Sequence, residues 1–225
     1  MPIYKRVNKD FFKKWTKDMS YVLGFFAADG YITLNKRGAN FWSIQITDKD
    51  LIYKIRDCIS AEHKIGERVG KGNNKNLYRL QIGSLEMCED LRGLGYRENK
   101  TKSLSIPNVP QKYFSHFVRG YFDGDGNVWM GFLHKERPKP DLVIFSSFTS
   151  CSVEFLLNLK SKLNEAGLSG GSIIKNKENY CRLSFSTKDT LKLFYFMYNG
   201  IDLKKDGLFL RRKTVVFEKF INTRS

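Results

Sequence analysis

Two similar segments, SYVLGFFAADGYI at residues 20–32 and SHFVRGYFDGDGNV at residues 115–128, each carry an aspartate directly before a glycine: Asp29 before Gly30 and Asp125 before Gly126. Small residues four apart precede each aspartate, Gly24 with Ala28 and Gly120 with Gly124. On a helix such pairs share a face, and small side chains there let two backbones approach closely. Two copies of one helix packed along these faces would set Asp29 beside Asp125. A carboxylate in the last turn of a helix opposes the macrodipole, and two adjacent carboxylates repel each other, so positive charge must come from elsewhere. A divalent cation supplies it. Asp29 and Asp125, with the backbone carbonyls of Ala28 and Gly124, make an all-oxygen ligand set suited to Mg²⁺, which keeps several waters and binds phosphate. Such a site points to phosphodiester chemistry. A single copy would read as an ordinary helix end; duplication in a strongly basic chain favours a functional site.

The chain has 39 Lys and Arg against 23 Asp and Glu, a formal charge of +16. That balance points to a polyanionic partner, nucleic acid foremost. A solvated basic surface, a membrane surface or a plain RNA-binding protein would explain the charge but not the duplicated acidic helix ends. Cys58, Cys88, Cys151 and Cys181 stand far apart and read as reduced, packed thiols, while His63, His116 and His134 show no zinc-ligand spacing. No apolar run approaches the roughly 20 residues that a membrane span requires. The start, MPIYKRVNKDFFKKW, lacks the apolar stretch of a secretory signal, and organelle import stays open.

The duplication extends beyond the aspartates. SIQITDKDLIYKI (43–55) matches FSSFTSCSVEFLL (145–157), pairing Thr47 with Thr149, and LYRLQIGSLEMCEDL matches YCRLSFSTKDTLKLF, pairing Arg79 with Arg182. Three collinear matches predict two similar α+β units over residues 1–106 and 107–225. Each reads as a helix, two strands, a helix, two strands and a closing helix. The first helices span 17–29 and 111–125, with Gly30 and Gly126 as C′ residues. Strands follow at 31–35 and 41–47, then a hairpin at about 64–82; in the second unit they lie near 127–133, 141–149, 171–177 and 180–186. Pro107 and Pro110 break the link at 100–110.

Residues 22–30 and 118–126 resemble the nine-residue motif of the LAGLIDADG homing endonucleases, and the repeat plan covers nearly the whole chain. The resemblance implies two pseudo-symmetric αββαββα units whose motif helices form the interface and whose antiparallel sheets form a DNA-binding saddle. It implies that Asp29 and Asp125 bind the metals beside the scissile phosphates. Ala27 departs from the pattern, standing where the second copy has Asp123. The family also implies basic residues around the site, for which Lys102 and Lys213 are the candidates, with Lys100, Arg211 and Arg212 nearby in sequence. A polar residue from the second strand completes the family's water network; Gln45 and its repeat partner Ser147 would occupy that position. The implied reaction is hydrolysis of one phosphodiester in each strand, leaving 3′ overhangs of four bases. Mg²⁺ would serve, Mn²⁺ would substitute, and Ca²⁺ would support binding without cleavage.

Within that saddle, alternation along the strands assigns the faces. Ile32, Leu34, Ile44, Ile46, Leu80 and Ile82 would face the helices, leaving Tyr31, Thr33, Asn35, Ser43, Gln45, Arg79 and Gln81 toward DNA. The second sheet would present Asn127, Trp129, Ser147, Tyr180, Arg182 and Ser184. Lys36, Arg37, Arg68, Lys71, Lys75, Lys135, Lys175 and Lys177 lie in or beside the hairpin loops and would hold phosphates. Intron RNA is the alternative partner, in a splicing maturase on the same fold; a non-cleaving DNA-binding regulator is the other. Because the outward residues of the two halves differ almost throughout, the working unit should be a monomer on an asymmetric site. Sedimentation of the chain with bound duplex should give one chain per duplex and a footprint without two-fold symmetry; two chains on a palindrome would overturn this.

Overall fold

The computed structural model describes residues 5–98, 104–175, 180–205 and 207–224. Thr16 begins the first helix, its hydroxyl accepting from the Met19 amide at 3.0 Å. This helix, α1 (Lys17–Asp29), leads into β1 (Gly30–Leu34), β2 (Asn40–Ile46), α2 (Lys49–Cys58), β3 (Gly66–Arg68), β4 (Leu77–Gly83) and α3 (Leu85–Gly93). The second unit repeats the order with α4 (Gln111–Asp125), β5 (Gly126–Leu133), β6 (Asp141–Ser150), α5 (Val153–Glu165), β7 (Ser172–Lys175), β8 (Cys181–Phe185) and α6 (Thr187–Tyr198). Asp48, Ser84 and Ser152 cap α2, α3 and α5, each accepting from the amide three residues ahead, as short polar side chains do at helix starts. A further helix, α7 (Arg211–Arg224), follows the second unit and was not anticipated by the repeat.

Two four-stranded antiparallel sheets result, in the orders β1-β2-β4-β3 and β5-β6-β8-β7. Each lays an apolar face on helices, around Trp42 and Phe26 in the first and Phe122 and Phe148 in the second. The α1–α4 contact unites the halves. A Cβ on Gly24 would collide with the carbonyl oxygen of Phe117, and a Cβ on Gly120 with that of Tyr21, so the two backbones touch where the side chains are absent. All four cysteines are free thiols, and among the described residues no helix is long and apolar enough to cross a membrane.

Three expectations need correction. Gly30 and Gly126 are extended, at φ −92° and −90°, rather than left-handed; a side chain there would strike the ring of Phe26 or Phe122. Leu34 has the inward parity but lies at the strand's end, past the helix cover, and is 55% exposed. The match of Thr47 with Thr149 slips by two residues. Gly30 pairs with Ile44 and Gly126 with Phe148, so Gln45 corresponds to Thr149, and Ser43 to Ser147. A two-residue slip leaves every side chain on its own face, so alternation could not detect it.

Gly120→Ala should lower stability by about 1–3 kcal/mol, because the overlap with Tyr21 outweighs alanine's better helix propensity of about 1 kcal/mol. Gly93→Ala, in open space on α3, should not destabilise. Denaturant unfolding of both variants checks the contrast.

Candidate active site

The close approach of α1 and α4 carries through to their C-terminal ends. A Cβ placed on Gly124 would overlap that of Ala28 and lie 3.2 Å from Asp29 Oδ2, so the Asp29 carboxylate rests beside the residue preceding Asp125. Both aspartates are half-buried, and neither helix has a basic residue in its last turn. Two carboxylates and two negative helix ends therefore meet at the seam where both sheets start. The charge is felt nearby: Asp125 and Asp29 add to the burial that pushes the Tyr121 phenol up, while its hydroxyl donates to the Thr149 carbonyl at 2.8 Å.

Lys213 enters from α7. Its buried Nζ donates to the carbonyls of Phe122, Asp123 (2.9 Å) and Gly126 (2.6 Å), closing the end of α4. Burial lowers its pKa to about 8; Asp123, Asp29 and Asp125 oppose the fall, and Arg212 adds to it. Asp123 is buried and ties three elements together. Its Oδ2 accepts from Tyr21 Oη of α1 at 2.7 Å and from the Leu210 amide, at the start of α7, at 2.9 Å. Burial raises its pKa, against the pull of Lys213, the two hydrogen bonds and Arg119. Arg119 in turn bonds the carbonyls of Leu208 (3.2 Å) and Met197 (3.0 Å) and shares a 2.8 Å bond with His116. Desolvation and the Arg119 charge hold His116 down at about 4, so the imidazole is neutral and accepts. Asp123 is thus a latch between helices rather than part of the aspartate pair.

Residues 16–92 match the family model described as a LAGLIDADG-like domain. Among solved structures, I-AabMI bound to uncleaved DNA is 16% identical, with a TM-score of 0.62 over 92% of this chain and 90% of that one. I-SmaMI bound to cleaved DNA is 14% identical, with a TM-score of 0.59 over 91% and 87%. The chain has the LAGLIDADG homing-endonuclease fold. A third neighbour is I-SmaMI bound to its uncleaved target in the presence of calcium ions, 15% identical, with a TM-score of 0.53 over 82% and 85%. An uncharacterized protein of Methanocaldococcus jannaschii, MJ0398, is 24% identical over 79% of this chain, which spans 64% of that relative's length.

On this LAGLIDADG scaffold the register places Tyr31, Ser43 and Gln81 in one cross-strand row and Gln45 and Arg79 in the next, with Thr33 opposite Phe41. Arg79 is exposed, and Tyr31, Thr33, Gln45 and Gln81 are half-buried. Ser43 is 0% exposed and lacks the predicted access despite the predicted parity, while Ser147, 6% exposed, lines a hollow beside Trp129. Asn35 builds the β1–β2 turn, its side-chain oxygen accepting from the Arg37 and Ala39 amides, each at 2.9 Å. Lys36 and Arg37 are exposed at that turn, and Lys135 at the β5–β6 loop. Arg68, Lys71 and Lys75 line a hollow of about 590 Å³ beyond β3 and β4. In the second sheet Asn127, Trp129 and Arg182 are exposed, Ser184 is half-buried, Lys175 is exposed at the end of β7, and Arg182 lies 6.0 Å from the centre of the half-buried Tyr180 ring. Lys102 and Lys177 lie outside the described residues.

The structure adds what the sequence reading missed: the Tyr21–Asp123–Leu210 latch, the Arg119–His116 pair and Phe145, which stacks on Trp129. Only Phe145 left a usable trace, as the outward-facing partner of Trp129 in the alternation of β6. Among the described residues no three His, Cys, Asp or Glu side chains cluster as metal ligands.

Lys213 gives a pH test. Its folded pKa of about 8 lies below the ordinary 10.5, so between those values the unfolded chain holds a proton that the folded chain has released. Its contribution to stability therefore rises with pH through that window. Comparing denaturant midpoints of wild type and Lys213→Met from pH 7 to 10.5 should show this rise missing from the variant.

Proposed function

We propose that the protein is a site-specific double-stranded DNA endonuclease that acts as a monomer. It hydrolyses one phosphodiester in each strand of a long asymmetric target and leaves four-base 3′ overhangs. The observation that carries this reading is the meeting of Asp29 and Asp125 at the ends of two helices in backbone contact, at the root of both sheets. The I-AabMI and I-SmaMI complexes with DNA support a duplex as the partner, and the calcium complex supports divalent metal use.

The donor set fits a hard divalent cation. Two half-buried carboxylates, with the carbonyls of Ala28 and Gly124 beside them, stand at negative helix ends that lack a basic residue in the last turn. Mg²⁺, with Mn²⁺ as substitute, supplies Lewis acidity at the scissile phosphates when bound. Asp29 and Asp125 hold the ions. Lys213, fixed by three carbonyls, keeps a positive charge beside the carboxylates, and Gln45 orders water from the second strand. Lys102 is the proposed basic counterpart in the first unit. Arg79, Gln81, Asn127 and Arg182 read base edges, while Lys36, Arg37, Arg68, Lys71, Lys75, Lys135, Lys175 and Lys177 grip phosphates. Calcium supports binding without cleavage. A chain that cuts one long asymmetric site fits the mobility of an intron.

Asp29→Asn or Asp125→Asn should each lower double-strand cleavage by at least about 100-fold, as loss of several kcal/mol of charge stabilisation would. DNA affinity in calcium should stay near wild type. Full cleavage by either variant would remove that aspartate from the site.

A further inference from the structure

One pair of equivalent positions on the outer faces of the two sheets differs in its aromatic groups. In the first sheet Thr33 pairs with Phe41; in the second, Trp129 pairs with Phe145. The two rings of the second pair are stacked, with centroids 6.1 Å apart and planes 15° from parallel. The indole also lies along its own strand over Gly131, where a Cβ would collide with the six-membered ring. Cross-strand partner and missing side chain together hold the indole flat on the sheet. It is nevertheless 46% exposed. Beside it is a hollow of about 390 Å³ lined by Asn127, Ser147, Ser184 and Arg182, so the plate stands amid short hydroxyls with one guanidinium at its edge.

In the major groove the thymine 5-methyl is the one apolar feature of a base edge; guanine, adenine and cytosine offer donors and acceptors. An aromatic plate desolvates a methyl favourably but leaves those polar groups unpaired. Resting on the reading of this face as a DNA-binding surface, we infer that the Trp129–Phe145 plate selects thymine methyl groups in the half-site under the second sheet. Its counterpart pair Thr33 and Phe41 carries a single ring, which lies against Gly83, so the stacked plate belongs to one half only. Gly131 is a positioning residue, because it leaves the space in which the indole lies.

The test starts from a randomised duplex pool selected for binding in calcium with wild-type protein and with Trp129→Ala. Positions whose base preference changes in the variant mark the half-site that the plate reads. The selected duplex is then made with uracil in place of thymine in one half at a time. Uracil in the marked half should weaken wild-type binding about fourfold for each methyl contacted. Uracil in the other half should have a smaller effect, and one that Trp129→Ala leaves unchanged. Gly131→Ala, which displaces the ring, should lose the discrimination as Trp129→Ala does, with unchanged melting temperatures showing that both fold. Equal binding of thymine and uracil duplexes, or a marked half without thymine, would overturn the inference while leaving DNA recognition intact. Absence of any enriched sequence would sink the DNA-binding reading and this inference with it.

Discussion

The contact on which the molecule depends is the approach of α1 and α4 at Gly24 and Gly120, close enough that each glycine's missing Cβ would overlap a carbonyl of the other helix. Nothing larger fits. Because both helices end in an aspartate and run straight into the first strand of a sheet, one contact sets two things. It brings the acids together, and it sets where the two sheets begin relative to each other. The site is thereby shared between halves that are similar in plan and different in surface. Its negative charge follows from the same geometry, since two helix C-termini converge with their carboxylates.

The pseudo-symmetry is broken in the way the helix pair is secured. Asp123 receives bonds from Tyr21 and Leu210, so it fastens α4 to α1 and to the start of α7. A carboxylate is well placed there, because α7 has no acid in its own first turn and a helix start favours negative charge. From that same first turn of α7, Lys213 reaches back to cap the end of α4. The first unit has Ala27 in place of that acid. The departure of Ala27 from the repeat therefore leaves the aspartate pair intact, and the second unit carries the latch for both.

Much of the fold was legible because its signals are periodic. Alternation in residues 31–35 and 41–47, with its repeat near 127–133 and 141–149, marked the strands, and the repeated Gly-to-Asp segment marked both the central helices and the acids. What stayed hidden depends on neighbours rather than on pattern. Ser43 has outward parity, yet it is fully buried. The side-chain oxygen of Asn35 is taken up by its own turn. The slipped match of Thr149 preserved every face and so left no periodic trace. The helix α7 has no repeat partner among the described residues of the first unit, and Lys213 was a candidate through resemblance to a family and not through any feature of its own segment.

The most direct test of the central claim, that the paired aspartates form one metal-dependent site for cutting duplex DNA, is incubation of the purified chain with a randomised duplex library in Mg²⁺ and in Ca²⁺, followed by sequencing of the cut ends. The account predicts cuts at one asymmetric sequence in Mg²⁺ only, with four-base 3′ overhangs. Selective binding of a sequence in both ions with no cut in either would contradict it.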